Sequence, residues 1–128
     1  MSVLDVGCGP GTNAQHFRNV QYTGIDINPE YIANARRRFP GRFLVGDVTD
    51  PAVLPAEQFE CVLLNSLMHH LDDEAVDGLL GRLGRFLSPR GSIHVLDLVL
   101  PERWSAARVL ARLDRGRYAR PISAWRAI

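Results

Sequence analysis

Asp5, Asp26, Asp47, Asn65 and Asp97 each stand at or near the end of an apolar run. A carboxylate or an amide carbonyl accepts hydrogen bonds from hydroxyls, amines and ammonium groups. The five would stand in register along one edge of the predicted sheet, where ligands bind. After the first of them comes a loop in which Gly7, Gly9 and Gly11 alternate with Cys8 and Pro10. Glycine lets a backbone turn sharply and approach a ligand closely, and a helix starting near Thr12 would aim its free amides at that ligand. The spacing is GxGxG, with Thr12 where a dinucleotide fingerprint has its last glycine. The loop alone thus leaves open a pyrophosphate, another anionic group, or a tight turn with no ligand. Asp26 ends the second run, nearly twenty residues past Gly7, where nucleotide-binding sheets accept hydrogen bonds from ribose hydroxyls.

His69 and His70 are the second chemical feature. Imidazole titrates near neutrality and can take a proton from a reacting group, so either is a candidate base; a structural turn is the other reading of the pair. His16 reads as a solvent-facing helix position and His94 as a satisfied core residue. Cys8 and Cys61 have neither CxxC nor His-paired spacing, so they read as reduced thiols and no metal site is expected. All fifteen basic residues are arginines, which excludes mechanisms that need a lysine.

The elements that must position these groups follow from the apolar pattern. Runs at 2–6, 21–26, 42–47, 59–65 and 92–100 are continuous rather than alternating, as in parallel strands buried on both faces. Asn28 before Pro29 signals a helix start, and Pro40 with Gly41 its end. Val76, Leu79, Leu80, Leu83 and Leu87 recur at helical spacing after Asp72, and Pro89 with Gly91 close that helix. Gly78, Gly81 and Gly84 within it imply a close packing contact. Beyond Pro101, Ala106, Val109, Leu110 and Leu113 mark an amphipathic helix with its arginines outside; Trp104 and Trp125 read as packing residues or pocket walls. Strand alternating with helix predicts an α/β fold: a Rossmann-like, doubly wound parallel sheet of about five strands in the order 3-2-1-4-5, with ligands at the carboxyl ends. At 128 residues, with 46% hydrophobic and 23% charged residues and a net charge of +1, a single domain is expected, and the arginine clusters read as solvated faces rather than a nucleic-acid surface. The sequence contains neither an apolar run of bilayer length nor a secretory leader pattern, so a cytoplasmic protein without membrane partners is expected.

The segments LDVGCGPGTN, YTGIDINPEYI, FLVGDVTD, FECVLLNSLMHHL and LSPRGSIHVLDLVLP resemble, in order and spacing, the motifs of class I S-adenosylmethionine-dependent methyltransferases. The resemblance implies S-adenosyl-L-methionine as cofactor. Gly7, Cys8 and Gly9, with Gly11 completing the loop, would run beneath its methionine portion, and Asp5 would interact with its amino group. Asp26 would take the ribose hydroxyls and Ile27 would lie against adenine. Asp47 and Val48 would meet the adenine edge, and Asn65 would offer carbonyl oxygen to the ammonium. It implies methyl transfer to a small-molecule substrate by in-line displacement.

The family's sheet has seven strands, the last two a hairpin that covers the fifth. This chain offers five, so it is expected to be a single methyltransferase-like domain over 1–128 that lacks the C-terminal hairpin and is incomplete at both ends. Its uncovered fifth strand invites association through the sheet edge. Two rival readings stay open: a non-catalytic cofactor-binding module acting through partner contacts, and a nucleotide-dependent oxidoreductase. A short-chain dehydrogenase is set aside for want of a lysine.

Overall fold

The computed structural model describes residues 1–128 except 51, 54, 55, 114, 115 and 128, and the backbone alone of Arg112. Five parallel strands form one sheet: β1 (Ser2–Val6), β2 (Gln21–Asp26), β3 (Arg42–Val45), β4 (Phe59–Asn65) and β5 (Leu87–Leu96). Their order is β3-β2-β1-β4-β5, as the alternation of strand and helix predicts. Alternate residues of the central strand serve opposite faces. Leu4 and Val6 join one core with Val62, Leu64, Val76, Leu79 and Leu83, whereas Val3 joins a second with Tyr22, Ile32, Ala35 and Phe43.

Helix α1 (Pro29–Arg38) covers the second core. Asn28 caps it, its Oδ1 accepting from the amides of Glu30 at 2.9 Å and Tyr31 at 3.3 Å, with proline at the first helical position. Helix α2 (Asp73–Leu83) covers the first core and is capped by Asp72, whose Oδ1 accepts from the Ala75 amide at 2.9 Å. Two short helices follow β5: α3 (Ala106–Leu113) and α4 (Ile122–Trp125).

Several local expectations fail. The segment after Gly11 is a five-residue 3₁₀ turn, Thr12–His16, not a longer helix. Helix α2 stops at Leu83 and passes through a 3₁₀ turn at Gly84–Phe86 into β5, which starts at Leu87 and ends at Leu96 rather than running over 92–100. Pro89 and Gly91 therefore lie within the strand instead of closing a helix. A register shift between the Phe59–Leu87 and Cys61–Ser92 pairs accommodates them, on an edge strand where proline is tolerated. Among the described residues no close packing explains the three helical glycines: a Cβ at Gly81 or Gly84 would meet nothing there within 4 Å, and one at Gly78 would meet the Arg82 side chain.

The C-terminal region departs most. Val109, Leu110 and Leu113 of α3 are exposed, as is Trp104, while Ala111 is the buried position. Of the arginines read as solvated, Arg120 is instead buried, bonded to the carbonyls of Met68, Tyr118 and Leu71, and Arg108 is half-buried on those of Pro101 and Glu102, whereas Arg36 is exposed as expected while bonding to Phe43 O. Arg115 and the Arg112 side chain lie outside the described residues. Trp125 packs against the first core. His94 is exposed and within 2.8 Å of Ser92 Oγ, not a core residue; His16 is exposed, as its helix position suggested. Val95 and Leu96 of β5 face solvent. Among the described residues no helix is long and apolar enough to cross a membrane.

Candidate functional site

The carboxyl ends of β1, β2 and β4 and the segment after β3 surround a cavity of ≈ 740 Å³, within the range of small-molecule sites. The loop between β1 and the 3₁₀ turn forms one wall, and most of its amides are bonded within the protein. Gly7 N and Cys8 N both donate to Ile25 O, at 2.8 and 3.0 Å, and Gly11 N donates to Cys8 O at 3.0 Å. Gly9 N donates to Asp26 Oδ2 at 2.8 Å, and the Asn28 amide donates to Oδ1 of the same carboxylate at 2.9 Å. Asp26 thus braces the loop and the start of α1 while lining the cavity. A loop with these amides already engaged is a poor cradle for phosphate oxygens. The amides expected to meet an anionic group are those of the turn starting at Thr12, and Thr12 and Asn13 do line the cavity.

Gly7, Cys8, Gly9, Asp26, Ile27, Asp47, Val48, Asn65 and His70 all line the cavity, as their positions in the sequence suggested. Ile27 is well exposed to it, whereas Val48 lines it from the core. Asp47 accepts at Oδ1 from the Thr49 hydroxyl at 2.7 Å and the Thr49 amide at 2.8 Å. Those two bonds hold its carboxyl below the usual carboxylate range, so it faces the cavity ionised. Burial, with the charges of Asp5 and Asp26 adding to it, pushes the Cys8 thiol up to about 12, which makes Cys8 a wall and not a nucleophile.

Asp5, Gly11 and His69 do not line the cavity. Asp5 shares the sheet face of Val3 and is fully buried. Its Oδ2 accepts from the Tyr22 hydroxyl and from Asn13 Nδ2, the latter at 3.1 Å, while Oδ1 has no partner among the described residues. Burial raises its carboxyl above the ordinary value, opposed by the bonds from Tyr22 and Asn13 and assisted by the charge of Asp26. Its reach to the cavity is indirect: Asn13 lines the wall and its Oδ1 accepts from Asn65 Nδ2 at 3.1 Å. Tyr22, Asp5, Asn13 and Asn65 make one continuous chain beneath the floor. Gly11 serves packing, since at φ 79 a Cβ there would lie 2.7 Å from Ala35 Cβ and 3.0 Å from Phe43 Cε1.

The histidine pair divides. His69 is buried, its Nδ1 2.5 Å from Asp97 Oδ1, and Asp97 Oδ2 accepts from the Met68 amide at 2.7 Å. Asp97, which the sequence leaves undecided, therefore holds the 3₁₀ turn Met68–His70 against the end of β5. His70 projects to the cavity with its ring 4.2 Å from that of His69.

Sequence reasoning missed Asn13, Tyr31, Leu67 and Leu71 among the lining residues. Asn13 carries a weak signal, a small amide two places beyond the last loop glycine. Leu67 and Leu71 flank the histidine pair and read only as apolar filler.

Residues 3–91 match the family model described as "Methyltransferase domain". The chain is 38% identical over 104 residues to an uncharacterized methyltransferase of Mycobacterium tuberculosis, covering 77% of this chain and 51% of the relative. It is 36% identical over 100 residues to the trans-aconitate 2-methyltransferase of Methylobacterium nodulans, covering 73% of this chain and 36% of that protein. It thus spans about half the length of the first of these relatives, and less of the second. Among solved structures, the plantazolicin methyltransferase BpumL in complex with SAH superposes with a TM-score of 0.76 at 23% identity, over 99% of this chain and 53% of that one. At that identity the likeness is one of fold.

Proposed function

The chain belongs to the methyltransferase domain family, and on that premise we propose that it binds S-adenosylmethionine in the strand-end cavity and directs methyl transfer to a small-molecule acceptor. The observation that carries this reading is the chemistry of the cavity rim. The loop amides at Gly7, Cys8 and Gly9 are internally bonded, while the Asp26 and Asp47 carboxylates and the Asn13 and Asn65 amides face the space. Such a rim suits a ligand that brings hydroxyls, an amine and an ammonium. It suits a dinucleotide pyrophosphate poorly, which weighs against the oxidoreductase alternative.

The residues present fit the cofactor. Asp26, with two backbone amides already on its oxygens, retains lone pairs for the ribose hydroxyls. Ile27 offers an apolar surface to adenine, and Asp47 an acceptor to its exocyclic amine. Asn65, held by Asn13, presents its carbonyl oxygen toward the ammonium end, and Gly7 to Gly9 carry the methionine portion. Asp5 acts on this end through Asn13 rather than by contact.

When bound, the cofactor supplies a methyl group on a sulfonium, which needs alignment with the acceptor and exclusion of water more than it needs chemical activation. Leu67 and Leu71 provide an apolar wall at the remaining side of the cavity, and His70 stands between them as the candidate to accept a proton from an acceptor hydroxyl. His69, turned into Asp97, orients that turn. Relatives named for trans-aconitate support an acceptor of small-molecule size. The free thiols of Cys8 and Cys61 suit a reducing, cytoplasmic compartment.

Calorimetric titration with S-adenosylhomocysteine and with NAD tests the cofactor, and transfer of labelled methyl to a panel of small acids and alcohols tests catalysis. Binding of S-adenosylhomocysteine alone is the expected result. Binding of NAD, or of neither by a folded chain, would reject the reading; binding without transfer to any acceptor would favour the non-catalytic module.

A further inference from the structure

Arg120 is among the few described charged residues that are buried, at 5% exposure, although it lies in a largely exposed C-terminal region, and Met68, Leu71 and Asp73, which its guanidinium binds, are some fifty residues away. Its Nη1 donates to Met68 O at 2.9 Å and Tyr118 O at 3.1 Å, and its Nη2 to Leu71 O at 2.8 Å. Nε and Nη2 both face Asp73 Oδ1, at 2.8 and 2.6 Å. Met68 and Leu71 bracket the pair that carries His70. We propose that Arg120 is a positioning residue for the acceptor end of the cavity: its guanidinium fixes the turn bearing His70 and Leu71 and ties the C-terminal segment to it.

This inference rests on the assignment of that wall to the acceptor. Its physical basis is the shape of the guanidinium. Five donors on a rigid planar fork reach three carbonyls and a carboxylate in different directions, which the single ammonium of a lysine cannot do. The turn itself is short, with His70 N on Leu67 O at 3.0 Å and Leu71 N on Met68 O at 3.1 Å, so its angle depends on groups outside it: Asp97, through the Met68 amide and the His69 ring, and Arg120, through the Met68 and Leu71 carbonyls. Arg120 is in turn fixed from behind. Its carbonyl accepts from the Leu100 amide at 2.7 Å, and its guanidinium lies 5.5 Å from the Trp125 ring centroid. The Tyr118 amide adds a bond to His69 O at 2.9 Å. A displacement of residues 98–100 or 118–125 would therefore reach the cavity wall through the Arg120 guanidinium and the Tyr118 amide together.

The test compares Arg120→Gln, Arg120→Lys and Asp73→Asn in the full chain, by amide hydrogen exchange and by calorimetry with S-adenosylhomocysteine. In Arg120→Gln the amides of β1 and β4 should exchange as in the wild type. Those of His70 and Leu71 should exchange roughly tenfold faster or more, as expected when buried bonds to a local turn are lost. Affinity for S-adenosylhomocysteine should fall about threefold to tenfold, because the loosened turn follows closely on Asn65 at the proposed ammonium end of the cofactor site. Arg120→Lys should recover only part of both effects. The idea is overturned if a folded Arg120→Gln leaves both readouts within about twofold of the wild type, or if Arg120→Lys restores both fully, since charge alone would then suffice. Should Arg120→Gln not fold, Asp73→Asn decides: it removes the charge of one well-exposed partner while leaving an acceptor oxygen, and should still speed exchange at His70 and Leu71, though less; no change there would reject the proposal. A wild-type chain that fails to bind S-adenosylhomocysteine rejects the functional reading instead, and the exchange readout still judges Arg120.

Discussion

Replacing Asp26 by asparagine probes the proposed ribose contact directly. Each carboxylate oxygen accepts one backbone amide, Oδ2 from Gly9 at 2.8 Å and Oδ1 from Asn28 at 2.9 Å. An ionised carboxylate has about four lone-pair sites, so about two remain for a vicinal diol. Asparagine keeps one acceptor oxygen and turns the other position into a donor. It loses at least one hydroxyl contact and sets its amide against Gly9 N or Asn28 N. A hydrogen bond to a charged group contributes about 1.5–3 kcal/mol, which corresponds to roughly tenfold to 150-fold in Kd. The assay is calorimetry with S-adenosylhomocysteine and with its 2′,3′-dideoxy analogue, on both proteins. The expected result is a loss in that range for the natural ligand and a much smaller one for the analogue, which has no diol to lose. If both ligands lose affinity equally, Asp26 is only a brace for the loop; if a folded variant binds S-adenosylhomocysteine within about threefold of the wild type, the ribose assignment is wrong.

Other consequences are equally open to measurement. Because burial raises the Asp5 carboxyl above 3.8, its contribution to stability is fully present below that value and is lost as pH rises through the higher folded value. The urea midpoint of the wild type relative to Asp5→Asn should therefore fall from acid toward neutrality, and a rise would contradict the sign. Gly11→Ala forces a side chain into φ 79 with its Cβ 2.7 Å from Ala35 Cβ. It should cost more than about 1 kcal/mol in a thermal melt, and an unchanged midpoint would count against the packing described. With its thiol pushed up to about 12 and its side chain buried, Cys8 should resist iodoacetamide at mildly alkaline pH in the native chain, as read by peptide mass analysis; rapid native labelling would refute that burial.

Much of this arrangement was legible because parallel strands buried on both faces leave long apolar runs whose ends are fixed by polar residues. Asp26 and Asn65 end β2 and β4 as the pattern required, and Asp47 lies two places past β3. The failures share a cause in interactions distant in sequence. Asp5 has the type and place of a ligand contact, but its strand parity turns it toward Tyr22, a residue seventeen positions away. His69 and His70 are chemically identical in the sequence, and contacts from far along the chain, Asp97 on the His69 ring and the Tyr118 amide on its carbonyl, separate the buried one from the cavity-facing one. Arg120 gave no signal, since nothing in a local arginine-rich stretch tells which side chain will turn inward. The helical period in α3 was real, yet period reports which residues share a face and not whether anything covers that face.

The central place of β1 also bears on the order in which the molecule is assembled. Its neighbour β2 follows closely, but its other neighbour is far along the chain, as the Ser2 amide on Glu60 Oε2 across 58 positions illustrates. At a synthesis rate of about 5–20 residues per second, one flank of the first strand waits roughly three to twelve seconds for its mate. Ile25 and Asp26 emerge well before that mate, so the nucleoside half of the cleft can take shape while the half bearing Asn65 and His70 is still being made. The newborn chain would thus present an unpaired hydrophobic ribbon beside a partly formed cleft, an interval in which chaperones and aggregation compete for it.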